Sequence, residues 1–453
     1  MKLTIVVHQF LPRFFTGTEQ YVCATARAMQ ARGWDVEVVA LEPDFSHRGA
    51  EFSVVREQVE GLSVLRVRFC DFADRDFCRI ETDHPLASAR FAELLRERRP
   101  DVIHFFHFRF LGASLLDEAK AQAIPSVVHL MDFWFLCPTV VLRRTDGALC
   151  DGPPEGGMGC INCVRKDLGR ELDSQGIRSE LRDLAALQPP LLAPRLNATH
   201  PSLEIATRPK RLRDLLLRAD RIIAPSRFLH SMFTKNGFPP ERIEVLTYGI
   251  DEGRMQSAGP LQRPPSGPLR CAFMGTIAEY KGADLVVDAI LGSSADIVVH
   301  IHGRVSDFPA FSGPLVDRSK GDARIVWSGP FGRERLGAVL AETDIVIVPS
   351  RWYENTPLVA LEAFAAGVPV FAADLGGMSE LIVDGENGEL FRPGDVSDLR
   401  RRLERIANER DRLARYRSSI HKPKSMSQNA AEFEAIYMQL VRPAANAASG
   451  GLS

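Results

Sequence analysis

The stretch that decides the fold is DIVIVPSRWYENTPLVALEAFAAGVPV, residues 344–370. A short β-branched run is followed by a polar loop and then by an apolar segment with helical spacing, which ends near Gly367. This order is typical of a strand, loop and helix in a parallel α/β sheet. Thr356 is predicted to cap the helix and Pro357 to occupy its first turn. The free N–H groups of that turn then form a site for an anion such as a diphosphate.

Two glutamates lie in this stretch, Glu354 in the loop and Glu362 inside the apolar helix. A carboxylate is costly to bury among apolar side chains unless a partner compensates it. A sugar diol is one such partner, as for the acidic residue that binds ribose in dinucleotide-binding folds. The alternative is that Glu362 points to solvent and Glu354 caps a turn. The two residues by themselves leave both interpretations open.

The same alternation of strand and helix runs through most of the chain, from KLTIVV at the start to VPVFAAD near residue 373. It predicts an α/β protein with two doubly wound, Rossmann-like domains that face each other across a cleft. The first domain is predicted at 1–250, with a cysteine-rich insertion at 137–200, and a Pro/Gly-rich linker follows at 251–268. The second domain is predicted at 269–425. A C-terminal helix at 426–441, which either packs back on the first domain or does not, and a disordered tail at 442–453 complete the chain.

Composition excludes several classes of protein. The 453 residues carry a net charge of −2, so there is no overall positive field, and nucleic acid is not an expected partner. The start MKLTIVVHQFLPRFF is typical of a first strand, not of a secretory signal, and indicates a cytoplasmic protein. No uncharged apolar run reaches the roughly 18 to 20 residues of a membrane span. The basic segment 208–221 is either a solvated helix face or a peripheral contact with the inner face of a membrane.

Several motifs accompany the glutamate pair: TGTEQYV, PDVIHFFHF, DFWFLCP, ADRIIAPSRFL, FMGTIAEYKGADLVVDAI and NGELFRPGD. Together they resemble the retaining glycosyltransferase family 4, the group 1 glycosyltransferases of the GT-B fold, in a subgroup with a four-cysteine insertion. The resemblance implies transfer of a sugar from a UDP- or GDP-sugar to a hydroxyl of a glycan, lipid-linked or small-molecule acceptor. It places such a reaction in polysaccharide or glycoconjugate biosynthesis and implies no cofactor for catalysis.

The resemblance also implies roles for donor-side residues. Glu362 would bind the ribose of the donor, and Glu354 would face the transferred sugar. Lys281, which follows the glycine turn at Gly275, would neutralise the leaving diphosphate. The family often has Arg directly after this glycine, where the chain has Thr276, and Arg351 or Arg304 is the predicted substitute. Contacts to the diphosphate would come from Asn355, Thr356, Pro357, Leu358 and Val359.

The acceptor side of the resemblance contains departures. Gly17 lies where the family has a glycine loop that opens the first helix, and a structural turn is the alternative. Relatives commonly have His-Asp where this chain has Met131 and Asp132. Asp132 is predicted to contact the sugar or acceptor. His129 lies on the same strand face and either replaces the missing histidine or is a core histidine.

His104 and His107 are predicted to lie on opposite faces of one strand, which argues against joint metal binding. His104 near the strand end either lines the cleft or is a satisfied core histidine.

Four cysteines lie within residues 137–163: Cys137, Cys150, Cys160 and Cys163. The last two form a Cys-x-x-Cys pair of the zinc-knuckle type, and the first two would complete a tetrahedral thiolate site. Four thiolates leave no open position for a substrate, so zinc bound there would be structural. An iron–sulfur cluster, disulfides and free thiols are the alternatives. The insertion is predicted to be a stapled loop that shapes the acceptor side.

Two rival functions remain at this point. Met131 and Thr276 fit an inactive, metal-stabilised binding protein that keeps the fold. A sugar-nucleotide epimerase on the same fold is the other rival. The segment ENTPLVALEAFAAG together with Lys281 favours a transferase.

Overall fold

The computed structural model describes residues 1–43, 53–69, 81–167, 201–254 and 267–448. The chain forms two compact units. Unit 1 comprises Met1–Pro225, Leu229–Leu246 and Ala430–Ser453, and unit 2 comprises Ser226–Phe228 and Thr247–Asn429. Parts of the predicted insertion, linker and tail, at 168–200, 255–266 and 449–453, lie outside the described residues.

Unit 1 is built on an eight-stranded sheet with the order β3-β4-β2-β1-β5-β6-β7-β8. Its strands are β1 Lys2–Val7, β2 Asp35–Pro43, β3 Ser53–Val59, β4 Leu62–Phe69, β5 Val102–Phe105, β6 Ser126–His129, β7 Arg221–Ala224 and β8 Ile243–Val245. The central strands are buried on both faces, as β1, β5 and β6 show. Such burial is typical of parallel sheets covered by helices on both sides.

One edge of this sheet departs from the predicted parallel arrangement. Strand β3 pairs antiparallel with β4, whereas the other neighbouring pairs in the sheet are parallel. The connection is a two-residue turn with positive φ at Glu60 (53°) and Gly61 (78°). Positive φ at both central residues gives the twist that tight hairpins require. The sheet therefore ends in a hairpin rather than in another crossover unit.

The helices associated with unit 1 are α1 Gly17–Ala31, α2 Pro85–Arg98, α3 Leu115–Ala121, α4 Ile161–Asp167, α5 Pro201–Leu216 and α6 Arg227–Lys235. Helix α5 carries the basic segment. Its Leu212 and Leu216 are fully buried, so the apolar stripe belongs to the core. Arg208 is buried against Glu81, and Lys210 pairs with Asp214. These contacts support the solvated-face interpretation over membrane contact.

Among the described residues, no helix has both the length and the apolar character that a membrane span requires.

Unit 2 is built on a fully parallel six-stranded sheet with the order β11-β10-β9-β12-β13-β14. Its strands are β9 Leu269–Met274, β10 Ile297–His302, β11 Ile325–Trp327, β12 Ile345–Val348, β13 Val370–Ala373 and β14 Gly388–Phe391. Its helices are α7 Ala283–Leu291, α8 Pro309–Ser319, α9 Leu336–Ala341, α10 Leu358–Ala365, α11 Met378–Leu381, α12 Val396–Asn408 and α13 Asp411–Ser419. The alternation confirms the predicted doubly wound α/β architecture.

The last helix, α14, spans Met426–Ala448 and belongs to unit 1 from Ala430 onward. Its Glu434 accepts a hydrogen bond from Trp34 Nε1 at 3.0 Å. The Tyr437 hydroxyl lies 2.6 Å from His104 Nδ1 in the core of unit 1. The prediction of a helix end at residue 441 and a disordered tail was wrong for residues 442–448, which continue the helix.

Candidate functional site

The strand, loop and helix predicted from residues 344–370 are present in unit 2. Strand β12 is fully buried, and helix α10 begins at Leu358. The predicted cap was wrong: Pro357 is the N-cap residue, with an extended ψ of 123°, and it precedes the first turn. The Thr356 hydroxyl contacts the Asn355 carbonyl at 2.9 Å and does not cap the helix. The first-turn N–H groups, including that of Val359, still have no acceptor within the helix.

Glu354 is held by three donors that converge on one carboxylate oxygen. Its Oε1 accepts hydrogen bonds from Lys281 Nζ at 2.6 Å, Ser350 Oγ at 2.6 Å and Trp352 Nε1 at 2.8 Å. The residue is only 6% exposed. Burial would raise the pKa of Glu354, but the Lys281 charge and these hydrogen bonds outweigh it and lower the pKa. The carboxylate is therefore ionised, and all three of these donors use Oε1.

A glycine pair fixes the backbone of Glu354. Gly377 N–H donates to the Glu354 carbonyl at 2.7 Å. A Cβ atom on Gly376 would lie 2.5 Å from that carbonyl oxygen, and one on Gly377 would lie 1.6 Å from the Asn355 carbonyl oxygen. Only glycine permits so close an approach of two backbones. Sequence reasoning missed this contact, although the Gly-Gly dipeptide was its signal.

Glu362 is buried in α10, only 4% exposed, and has a cationic partner. Arg333 Nη1 lies 2.6 Å from Glu362 Oε1. The alternative that Glu362 points to solvent is therefore wrong. Sequence reasoning expected a partner but did not identify Arg333, which lies in the short 3-10 helix Arg333–Arg335 after β11. The basic cluster Arg-Glu-Arg behind a strand end was the available signal.

Lys281 ends a short 3-10 helix, Glu279–Lys281, just before α7. Gly282 follows it with a φ of 74°, and a Cβ atom there would lie 2.1 Å from the Pro349 carbonyl oxygen. This close approach brings the Lys281 segment against the loop that carries Glu354. The structure thus brings Lys281 and Glu354 together, at 2.6 Å, and their role in one donor site stays a prediction.

The two arginines that were predicted to replace the missing phosphate cation differ in whether they are paired or exposed, and the glycine turn lies directly after β9. Arg351 donates through two nitrogens to Asp284, at 2.6 Å each, so its charge is already paired. Arg304 is exposed. Gly275, directly after β9, donates its N–H to the His302 carbonyl at 2.9 Å, and Thr276 follows it. The pairing of Arg351 weakens the prediction that it replaces the missing phosphate cation.

The site residues predicted in unit 1 differ in how far they are exposed to solvent. Gly17 is the first residue of α1. His129, at the end of β6, is 1% exposed and lies among the rings of Tyr21, His104 and Phe106, with centroids 5.4 to 5.7 Å away. This burial supports the core-histidine interpretation of His129.

Asp132 lies beyond the end of β6 with its side chain 25% exposed. Its Oδ1 accepts the Trp134 backbone N–H at 2.8 Å, and its Oδ2 lies 2.9 Å from His107 Nε2. The prediction that His107 belongs to a strand with His104 was wrong, because β5 ends at Phe105. His107 therefore lies in the loop after β5, where its side chain contacts Asp132.

Another group that sequence reasoning missed is Glu19, in the first turn of α1. Glu19 is fully buried and accepts hydrogen bonds from Gln9 Nε2 at 2.9 Å and Thr16 Oγ1 at 2.5 Å. These two donors compensate for its burial. Its only sequence signal was an acidic residue shortly after a glycine.

The four cysteines of the insertion line one cavity of about 150 Å³ in unit 1. None of them forms a disulfide. The Cys150 thiol donates to the Gly152 carbonyl at 2.9 Å. Burial and then the neighbouring thiols of Cys137, Cys163 and Cys150 raise the pKa of Cys160 to about 12. Within the described part of the chain, no three Cys, His, Asp or Glu side chains are arranged to hold a metal as they stand.

Zinc at the four thiols therefore stays a prediction, and it is decided by metal analysis of the purified protein. We expect about one zinc per chain, and none in a variant with all four cysteines changed to serine. Changing the buried Cys271 of unit 2 to serine is the matched control and should leave the zinc content unchanged. The prediction would be contradicted if the purified wild-type protein contained no metal and had four more titratable thiols than the variant with all four cysteines changed to serine.

Two family models match the chain. One, described as "Glycosyl transferase 4-like domain", matches residues 16–154. The other, described as "Glycosyl transferases group 1", matches residues 262–432 and includes Lys281, Glu354 and Glu362. The cysteine insertion is matched only in part, up to residue 154.

Curated relatives are similar to part of the chain. D-inositol 3-phosphate glycosyltransferase of Nocardia farcinica is 30% identical over 223 residues, which are 45% of this chain and 48% of the relative. Glycogen synthase of Mycobacterium tuberculosis is 28% identical over 195 residues, which are 41% of this chain and 45% of the relative. The chain thus spans about half the length of the curated relatives it matches.

Solved structures share the fold over nearly the whole chain. Sucrose-phosphate synthase from Thermosynechococcus elongatus has a TM-score of 0.65 at 16% identity and covers 97% of this chain and 98% of its own. The HepE protein of Anabaena, in complex with UDP and glucose, has a TM-score of 0.61 at 16% identity and covers 97% and 100%. Residues 16–154 are thus similar to the glycosyl transferase 4-like domain and residues 262–432 to the glycosyl transferases group 1 domain, and the chain has the GT-B fold.

Proposed function

We propose that this protein is a retaining glycosyltransferase that moves a sugar from a UDP- or GDP-sugar to a hydroxyl of a glycan, lipid-linked or small-molecule acceptor. Its place would be polysaccharide or glycoconjugate biosynthesis. The observation that carries the proposal is the carboxylate pair of unit 2. Glu354 and Glu362 are both buried beyond the carboxyl end of β12, and each is paired with a cation from another segment.

In this proposal Glu362 and Arg333 bind the nucleoside part of the donor. A ribose diol can donate to the Glu362 carboxylate, whose orientation is already set by Arg333 at 2.6 Å. Two proteins of the same fold are known with nucleotides: HepE of Anabaena with UDP, and starch synthase IV of Arabidopsis thaliana with ADP and acarbose. These likenesses support a nucleotide-sugar donor and leave its base open.

The chemical step is stabilisation of the departing diphosphate. Free N–H groups at the start of α10 and the ammonium of Lys281 would meet the charge that develops on the leaving group. Lys281 is oriented for this by Glu354 and by the Trp352 ring, whose centroid lies 4.7 Å from Nζ. Glu354 would contact the transferred sugar through Oε2. No residue of this set requires a metal for its role.

The experiment that tests the proposal is a thermal-shift screen with UDP-glucose, ADP-glucose and GDP-glucose. A bound donor stabilises the folded protein by an amount that grows with the logarithm of its concentration divided by its dissociation constant, so at equal concentration the preferred base gives the largest shift in melting temperature. The anomeric configuration of the released or transferred sugar, read by NMR at early times, then tests retention. A protein that binds none of the three donors and none of the free diphosphates UDP, ADP and GDP, or an inverted product, would overturn the proposal.

Replacing Glu362 with alanine should weaken binding of the preferred nucleotide by roughly ten- to a hundredfold, because a charge-assisted hydrogen bond to the ribose is lost. Arg333 is also left without this partner. Calorimetric titration with the nucleoside diphosphate measures the change. Glu386→Ala, an exposed position in the same unit, is the matched control. Equal affinity in the Glu362 and Glu386 variants would remove Glu362 from the donor site.

A further inference from the structure

Three polar side chains follow neighbouring strands of the unit 1 sheet. Strands β1, β5 and β6 are adjacent in the order of the sheet. His8 comes directly after β1, His107 after β5, and Asp132 after β6. The carboxyl ends of parallel strands meet at one edge, which is where open α/β sheets bind their ligands. This edge is the natural place in unit 1 for a polar substrate contact.

The hydrogen bonds fix the tautomer of His107. Its Nδ1 accepts the backbone N–H of Arg109 at 3.0 Å, so Nδ1 carries no proton. In the neutral ring the proton is then on Nε2, which donates to Asp132 Oδ2 at 2.9 Å. His107 is only 6% exposed, and both of its ring nitrogens are used. The imidazole therefore has no nitrogen left for a substrate and acts on Asp132 instead.

Asp132 is oriented through both of its oxygens. Oδ2 receives His107, and Oδ1 receives the Trp134 backbone N–H. Burial would raise the pKa of Asp132, but the interaction with His107, the two hydrogen bonds and the charge of Arg109 lower it. With a quarter of its side chain exposed, the carboxylate keeps an open edge. It is therefore an ionised acceptor, fixed in direction and accessible to a hydroxyl.

His8 restricts the movement of this pair. Its ring centroid lies 4.1 Å from that of His107, with the planes tilted by 39°. On its other side, His8 Nε2 lies 4.0 Å from the buried Glu19 carboxylate. Packing of this kind limits the rotation of the His107 ring. Asp132, His107, His8 and Glu19 thus form a continuous series of contacts in unit 1.

We propose that His107 is a positioning residue that holds Asp132 toward a hydroxyl of the transferred sugar or of the acceptor. The proposal rests on the proposed transferase function. It adds a residue that follows β5, and this residue contributes through Asp132 and not by contact with the substrate.

Two variants of His107 separate this role from a purely structural one. His107→Gln keeps an N–H donor near the position of Nε2, whereas His107→Asn keeps an acceptor near Nδ1 and loses the donor to Asp132. We expect turnover, measured as nucleoside diphosphate release from the preferred donor, to fall about ten- to a hundredfold in the Asn variant. The Gln variant should stay near the wild-type value. The dissociation constant of the nucleotide should not change in either.

The opposite order, with the Asn variant active and the Gln variant slow, would mean that the bond to Arg109 matters and would overturn the proposal. Equal turnover in both variants with intact donor binding would overturn it as well. As a second measurement, Asp132→Asn should slow turnover by a similar factor, and the double variant with His107→Asn should be no slower than Asp132→Asn. If the double variant loses turnover by the product of the two single-variant factors, His107 does not act through Asp132. A wild-type protein that binds no donor instead refutes the proposed function, and this assignment with it.

Discussion

Glu354→Gln should lower turnover by roughly 10²- to 10³-fold and leave nucleotide affinity near the wild-type value. The substitution keeps the size of the side chain and an oxygen for Ser350 and Trp352. It removes the charge that orients Lys281 at 2.6 Å and that faces the proposed sugar. A group that acts mainly in the transition state changes kcat more than binding. Initial rates of nucleoside diphosphate release, with calorimetric titration of the nucleotide, measure both quantities.

The control for this prediction is Glu386→Gln, an exposed glutamate of the same unit. Its turnover should equal that of the wild type. If Glu354→Gln loses affinity while turnover at saturating donor stays at the wild-type value, Glu354 is a ground-state binding residue. If neither quantity changes, its carboxylate does not belong to the site.

Lys281→Met should destabilise unit 2 at neutral pH by an amount on the order of 3 kcal/mol, because a buried carboxylate loses its cation. The methionine keeps most of the packing of the lysine stem against Trp352. Ser350 and Trp352 still donate to Glu354, which limits the loss. Thermal unfolding followed by calorimetry measures the change. The double variant with Glu354→Gln should recover much of the stability, since no unpaired charge remains.

The same variant should show a distinct dependence on pH. In the wild type the pKa of Glu354 is lowered from 4.5, so its ionised form contributes stability above the unfolded pKa, and this is lost as pH falls through the folded pKa. Without Lys281, burial dominates and the folded pKa rises, which makes ionisation destabilising above the unfolded value. The difference in melting temperature between the two proteins should therefore be large at pH 7 and narrow below about pH 4.5. A difference that is independent of pH would contradict the role of the ion pair.

The sequence was sufficient for the architecture and for the strand, loop and helix that carry Glu354 and Glu362. Strand β12, the following loop and Glu354 were predicted from one stretch, because apolar periodicity and a buried acidic residue are local signals. The placement of Lys281 in the same site as Glu354 was predicted from the family resemblance. Arg333 was not found, since its contact with Glu362 depends on how the segment after β11 folds back. That geometry is set by the sheet as a whole, so the Arg-Glu-Arg cluster after β11 indicated a cation there but not its partner.

Errors in the sequence interpretation have local physical causes. Helix α10 begins one residue later than predicted because Pro357 adopts an extended ψ. His107 was assigned to a strand because the apolar run continues past it, yet the ladder with β6 stops at Phe105. The hairpin at the sheet edge depends on positive φ at Glu60, a non-glycine residue in which this conformation is uncommon.

The membership of α14 in unit 1 has a consequence for the order of synthesis. Glu434 and Tyr437 contact Trp34 and His104, residues that leave the ribosome several hundred positions earlier. Domains near the N-terminus usually fold first during translation. Here the N-terminal unit lacks part of its core until the C-terminal segment has emerged. Its folding is completed last, after all of unit 2 has been translated, and a gene truncated before Ala430 would encode an unfinished N-terminal unit.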